Sequence, residues 1–303
     1  MIVNSRTVPA ASAAGDPWRR MIRIDTVSGE IDAIADGISA YAPAKVVFAE
    51  GDSWLDKFTP VPQVGTNLLD AIRTPFHAAV VDVAHIGDTS VDVVTGWQAK
   101  RTRALFRFFD FNAIVLSVGA NDLKNLYADR VEQMIAGGLS PQEIQSLLEP
   151  ATYAADFERV VANIRAFVAL RDGSPRGITR QAPIILNGYD YFQPRPARAA
   201  AFAGSAFGAG PWVYPVLQGA GLNAAQMKQA ADAVIDRLNQ SLADAFRASA
   251  SVVVIDSRGV LTPARPGTTA EDGDWLDEIH PSAAGFDKLA GQRWSATLAG
   301  LLR

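Results

Sequence analysis

The chain has 303 residues, 49% hydrophobic and 20% charged, which is ordinary globular composition and ample for a sizeable core. Its formal net charge of -4, with no long basic run, argues against nucleic acid as a partner. The absence of cysteine excludes a disulfide framework, a thiolate nucleophile and cysteine-ligated metal, leaves the redox compartment open, and no apolar run approaches ~18 residues, so no transmembrane helix is expected.

Residues 1–20 read as a flexible start. Residues 1–8 lack a continuous apolar core ahead of the small residues between Ala10 and Gly15, so no signal peptide is expected and a cytoplasmic location is favoured. From residue 21 to 303 a single domain is expected.

Ile31, Ile34 and Ile38 fall at spacings of three and four, which predicts that part of 21–38 is an amphipathic helix, weakened by Gly29 and Gly37. A first strand is predicted at about 45–49. It is stopped by Gly51-Asp52-Ser53, a glycine-containing turn at the end of a buried strand. Gly-Asp-Ser is also an ordinary turn composition. Pro60 and Pro62 leave room only for a short helical turn after Ser53, and a helix is expected near 66–74 with Leu68, Leu69 and Ile72 on one face. Residues 80–84 form a second strand candidate, and Asp88, Thr89 or Ser90 can cap a helix over about 91–108. The clearest strand is 113–118, ending in Gly119-Ala120-Asn121-Asp122. A long helical region then runs to about 171, broken near Gly137-Gly138, with Pro141 after Ser140 as a cap-then-proline start.

A fourth strand is predicted at 183–187. Residues 190–221 are rich in proline, glycine and aromatics and read as an irregular insertion. Its aromatics either pack on the domain or line a substrate site, with Phe192, Trp212 and Tyr214 as the lining candidates. Met227, Ala231, Val234, Leu238 and Leu242 mark a helix over 223–247. A fifth strand follows at 252–256, then a loop over 257–276. Asp277-Glu278-Ile279-His280-Pro281 introduces a last helix at about 282–302. Five strands alternating with helices give an α/β fold with a mainly parallel, five-stranded sheet.

Four features follow predicted strands or precede the last helix: Gly51-Asp52-Ser53, Gly87, Gly119-Ala120-Asn121-Asp122 and Asp277-Glu278-Ile279-His280. Carboxyl ends of parallel strands converge, so these residues can share one site. Acyl transfer to serine needs a base, an acid that orients it, and donors aimed at an oxyanion. Ser53, His280 and Asp277 supply the first set; Asn121 with the backbone of Gly87 and Ser53 supplies the donors. Asp52 and Asp122 fit loop fixing through backbone amides, and His85 fits a structural role. Among His77, His85 and His280 no two have metal-ligand spacing, so no metal and no cofactor are expected.

In order and content the four blocks resemble those of the SGNH/GDSL hydrolase family, over about residues 49–281. The resemblance picks Asp277 over Asp274 as the orienting carboxylate. It implies a flavodoxin-like α/β/α sandwich and metal-independent hydrolysis of esters or thioesters through Ser53. Acyl chains, acetylated sugars and thioesters stay open as substrates, as small molecules or as acylated carbohydrates or lipids. A catalytically silent binding or scaffold protein on the same fold is the alternative. A flavodoxin-like nucleotide binder is disfavoured, because Gly-x-Gly-x-x-Gly and Gly-x-x-x-x-Gly-Lys are both missing.

Overall fold

Apolar runs bounded by turn residues become strands, and 3.6-periodic stretches become helices. The computed structural model describes residues 17–25, 31–56, 67–199 and 210–302. Its strands are β1 (Arg19–Arg20), β2 (Ile22–Asp25), β3 (Lys45–Gly51), β4 (Arg73–Thr74), β5 (Ala78–Asp82), β6 (Ala113–Ser117), β7 (Ile184–Asn187) and β8 (Val252–Ile255). Its α-helices are α1 (Ile31–Tyr41), α2 (Leu68–Ala71), α3 (Gly96–Phe108), α4 (Ala120–Ala136), α5 (Pro141–Leu147), α6 (Ala154–Asp172), α7 (Gly177–Gln181), α8 (Tyr214–Gly219), α9 (Ala224–Phe246), α10 (Ala283–Leu289) and α11 (Ser295–Leu301).

The main sheet has the order β2-β5-β3-β6-β7-β8, and every pair in it is parallel. Helices flank it, which is the layering that buries both faces of a parallel sheet. The central strand β3 is buried from Val46 to Gly51. Phe48 packs edge-on against Phe106 with ring centroids 4.8 Å apart and tilts against Phe111 at 5.1 Å. The chain leaves β3 for β5 on one side and then returns to β6 on the other. This reversal opens a crevice at the carboxyl ends of β3 and β6, where ligands bind in such sheets.

The sheet has six strands and not five. The extra strand is β2, which no apolar run announced. The helix that Ile31, Ile34 and Ile38 predict within 21–38 forms as α1. Arg23 explains the strand. Its guanidinium is drawn to Asp82 on β5 (Nε to Oδ2 2.8 Å) and to the carbonyl of Leu55 at 3.0 Å, partners that only a strand beside β5 can reach. Gly37 does not weaken α1. A Cβ there would stand 3.0 Å from Ile24 Cγ2, so its absence lets the helix lie close on β2. The helix expected at 66–74 shrinks to α2, because Arg73–Thr74 pair antiparallel with Arg19–Arg20 in a separate two-stranded sheet. Residues 19–20 of the expected flexible start are therefore ordered; residues 1–16, and Pro60 and Pro62, lie outside the described residues.

The long helical region breaks as expected. Ser140 and Glu143 form a capping box with Pro141 in the first turn of α5. The last helix is interrupted by a π segment, Ala290–Trp294, that buries Trp294. Residues 200–209 of the insertion at 190–221 lie outside the described ones, and its described residues contain one short helix, α8. No described helix is long and apolar enough to cross a membrane.

Candidate active site

Ser53 owes its position to Gly51. Gly51 has φ +137°, and a Cβ on it would sit 2.1 Å from the Ser117 carbonyl oxygen, so only glycine lets β3 and β6 approach this closely. The Asp52 amide donates to that same carbonyl at 2.8 Å. The amides of Leu55 and Asp56 both donate to the Asp52 carbonyl at 3.0 Å, which closes a short turn around Ser53.

Ser53 Oγ lies 2.7 Å from His280 Nε2. On the other side of the ring, His280 Nδ1 lies 2.8 Å from Asp277 Oδ1 and 3.0 Å from Oδ2. The offset of three residues is what this needs. The Asp277 carboxylate turns back to accept from the amides of Ile279 (3.1 Å) and His280 (2.9 Å) as well as facing the ring. The loop is tied to the serine turn by Trp54, whose indole N–H donates to the Ile279 carbonyl at 3.2 Å. All three side chains are buried, so their interactions are little screened by water. Asp274 turns away and accepts from the Thr262 amide (2.6 Å) and Lys288 (2.8 Å).

Asn121 lies in the first turn of α4, which starts after Gly119 (φ +113°). Its amide nitrogen donates to the Asp88 carbonyl at 3.0 Å and thereby joins α4 to the loop that carries Gly87. Gly87 is exposed, with φ +90°. Asp122 pins the same loop by accepting from the Ser90 amide (2.7 Å) and hydroxyl (2.6 Å). His85 is exposed, with Nδ1 3.4 Å from Asp88 Oδ1.

Beneath the serine lies a buried polar network. Asp52 accepts from the Trp54 amide (3.1 Å), the Ser117 hydroxyl (2.9 Å) and the Tyr189 hydroxyl, and Asn187 donates to Ser117 at 3.1 Å. Burial pushes the Asp52 carboxyl from 3.8 up to about 6, against the pull of those three donors. The folded state therefore holds this proton more tightly than the unfolded chain between about pH 4 and 6, and stability from this group is lost as pH rises through that window. Relative to Asp52→Asn, the wild type should lose roughly 3 kcal/mol between those limits. Urea midpoints across pH measure it, and parallel profiles for the two proteins would contradict it.

A family model, described as GDSL-like Lipase/Acylhydrolase, matches residues 32–292. The chain belongs to the GDSL-like lipase/acylhydrolase family. It is a carboxylic ester hydrolase of the SGNH type. A comparison with curated protein sequences finds no match. Similar solved structures include the lipase Lip_vut3 from a goat rumen metagenome, at 12% identity and TM-score 0.49, with 86% of this chain and 100% of that chain covered. A catalytic mutant of Axe2, an acetylxylan esterase from Geobacillus stearothermophilus, matches at 15% identity and TM-score 0.44, covering 86% and 94%. Est24, a carbohydrate acetylesterase from Sinorhizobium meliloti, matches at 14% identity and TM-score 0.40, covering 85% and 99%.

In this GDSL-like hydrolase a cavity opens beside Ser53 and Asn121. Its wall is mostly apolar, with Leu123 and Tyr127 from α4, Val234, Ile235 and Leu238 from α9, and Phe192 from the insertion. Of the three expected aromatics, Phe192 lines the cavity. Trp212 instead stands edge-on to the His280 ring, with centroids 5.4 Å apart and planes at 79°. Tyr214 turns to Gln218, which donates to its hydroxyl at 2.8 Å, and Val213 takes its place in the lining. Among the described residues, no group of three His, Asp or Glu side chains is arranged to hold a metal ion.

Sequence reasoning missed five contributing residues. Tyr189, which holds Asp52, carries no motif. Val234 and Leu238 mark a helix by their spacing, and periodicity cannot distinguish a face that meets the core from one that meets a cavity. Arg195 and Glu278 are fully buried charges whose partners are mostly backbone groups, with the Thr268 hydroxyl the one side-chain partner among their described hydrogen bonds, so no opposite charge announces them. Burial pushes the Glu278 carboxyl from 4.5 up to about 7, against three backbone amides that favour its ionised form.

Proposed function

We propose that this hydrolase cleaves carboxylic esters through an acyl-enzyme on Ser53. The observation that carries the reading is the continuous hydrogen-bonded line from Ser53 Oγ to His280 Nε2 (2.7 Å) and from His280 Nδ1 to Asp277 (2.8 Å). His280 takes the hydroxyl proton as Ser53 attacks the ester carbonyl carbon. The proton then passes to the leaving alcohol oxygen as the C–O bond breaks. Asp277 fixes the tautomer and stabilises the imidazolium. Water, deprotonated by the same histidine, then releases the acid. These steps draw on the chain's own side chains and call on no metal.

Asn121 acts in this scheme as an oxyanion donor, with the backbone N–H groups of Ser53 and Gly87. An amide nitrogen carries two donors, and the bond to the Asp88 carbonyl orients the group while using one of them. Asn121→Ala should lower turnover by about 10²–10³. Full activity in the folded variant would remove Asn121 from the mechanism.

The apolar cavity beside the serine supports an aliphatic acyl group as the part of the substrate it holds. Each methylene buried there contributes about 0.8 kcal/mol. A series of activated esters from acetyl to octanoyl tests this. Activity should rise with chain length until the cavity is full. Ala231 lines the cavity with a small side chain. Ala231→Phe should abolish the gain from longer chains and leave acetyl esters cleaved. A wild type that prefers acetyl esters would contradict the acyl assignment.

A further inference from the structure

Two segments distant in sequence meet beside the triad: the insertion after β7, and the loop of residues 268–280 that ends in Asp277 and His280. Each sends one buried charged side chain into the backbone of the other. From the insertion, Arg195 donates through Nη1 to the Thr268 carbonyl (3.2 Å), the Thr268 hydroxyl (3.1 Å) and the Ala270 carbonyl (2.5 Å). Through Nη2 it donates to the carbonyls of Trp275 (3.2 Å) and Asp277 (2.8 Å). From the loop, Glu278 accepts from the amides of Trp212, Val213 (3.0 Å) and Tyr214 (2.6 Å). The Glu278 amide in turn donates to the Ala197 carbonyl at 3.3 Å.

A buried charge without hydrogen-bond partners costs several kcal/mol, so neither side chain is tolerable unless both segments stay in place. The two anchors point in opposite directions along the chain, which makes the contact reciprocal. Both lead to the chemistry. Arg195 holds the carbonyl of Asp277 itself. Glu278 holds Trp212, whose ring abuts His280, and Val213, which lines the cavity.

We infer that Arg195 and Glu278 are positioning residues that lock the insertion to the triad loop, setting the cavity wall and the base as one unit and making Glu278 a determinant of acyl-chain preference. The specificity part rests on the ester-hydrolase reading above. A long acyl chain fills more of the cavity that Val213 and Phe192 of the insertion line than an acetyl group does. Loosening the wall therefore removes the orientation supplied by the acyl chain, and misplacement of a bound substrate by a fraction of an ångström is costly.

Glu278→Gln keeps the side chain's size, removes its charge and turns one acceptor oxygen into a donor that faces backbone N–H groups. Assayed at pH 8 with the full chain, it should lower kcat/KM for an octanoyl ester about tenfold more than for an acetyl ester, beyond any loss common to both that comes from a looser base. A purely stabilising contact would shift the melting temperature without changing the ratio of the two esters. An unchanged ratio would overturn the specificity role. Hydrogen exchange on the wild type tests the lock without any variant or substrate. The amides of residues 212–214 should be protected to the same degree as those of 278–280 and should open with them. Rapid exchange at 212–214 beside a protected 278–280 would overturn the lock. A wild type inert toward the whole ester series would instead overturn the hydrolase reading and the specificity role with it, and the exchange result would still decide the lock.

Discussion

Replacing His280 by alanine should lower ester turnover by about 10⁶, and Ser53→Ala should do the same. A serine hydroxyl is too weakly acidic to attack an ester at neutral pH without a base at its side. Here His280 Nε2 stands 2.7 Å from Ser53 Oγ. An imidazole can take that proton and later hand it to the leaving group. The two residues act as one unit, so the double variant should be no slower than either single one. Steady-state turnover of an activated ester measures this, with thermal melts showing that each variant is folded. Losses that multiply in the double variant would mean that the two side chains act independently.

Asp277→Asn should cost about 10⁴ in turnover, less than loss of the base and far more than a structural change would explain. The asparagine oxygen can still accept from the amides of Ile279 and His280, which Asp277 Oδ1 now does at 3.1 and 2.9 Å. The loop should therefore keep its shape and the melting temperature should move little. The amide nitrogen can then face the ring and impose the tautomer that leaves Nε2 protonated, unable to act as a base. The carboxylate also no longer stabilises the imidazolium. Activity within tenfold of the wild type would place the orienting role on another group.

Much of this was legible in the chain because the strands that carry the site are continuous apolar runs. Residues 45–49, 113–118 and 252–256 can bury both faces and lie at the centre or far side of a parallel sheet. The end of such a strand is where a ligand crevice forms, so Gly51-Asp52-Ser53 and Gly119-Ala120-Asn121-Asp122 could be placed together before any coordinates. The strand β2 was hidden because its four residues contain Arg23, a charge that becomes tolerable only once Asp82 is beside it. The cavity was hidden for a different reason. Val234 and Leu238 have the spacing of a core face, and whether that face meets atoms or open space is decided by distant elements. Arg195 and Glu278 were illegible because their hydrogen bonds go to backbone groups and one threonine hydroxyl, which leave no opposite charge to find. Glu278 nevertheless lies inside the motif that was read, between Asp277 and His280, and there a neighbour's importance could be suspected but not its partner.

The most direct test of the central claim is covalent labelling with a fluorophosphonate probe, followed by peptide mass spectrometry. A nucleophilic serine displaces fluoride and forms a stable phosphonyl ester, while an unactivated serine does not react at a comparable rate. The adduct should sit on Ser53, should vanish in Ser53→Ala and should form far more slowly in His280→Ala. Labelling at a different serine, or ester turnover that survives both Ser53→Ala and His280→Ala, would contradict the account.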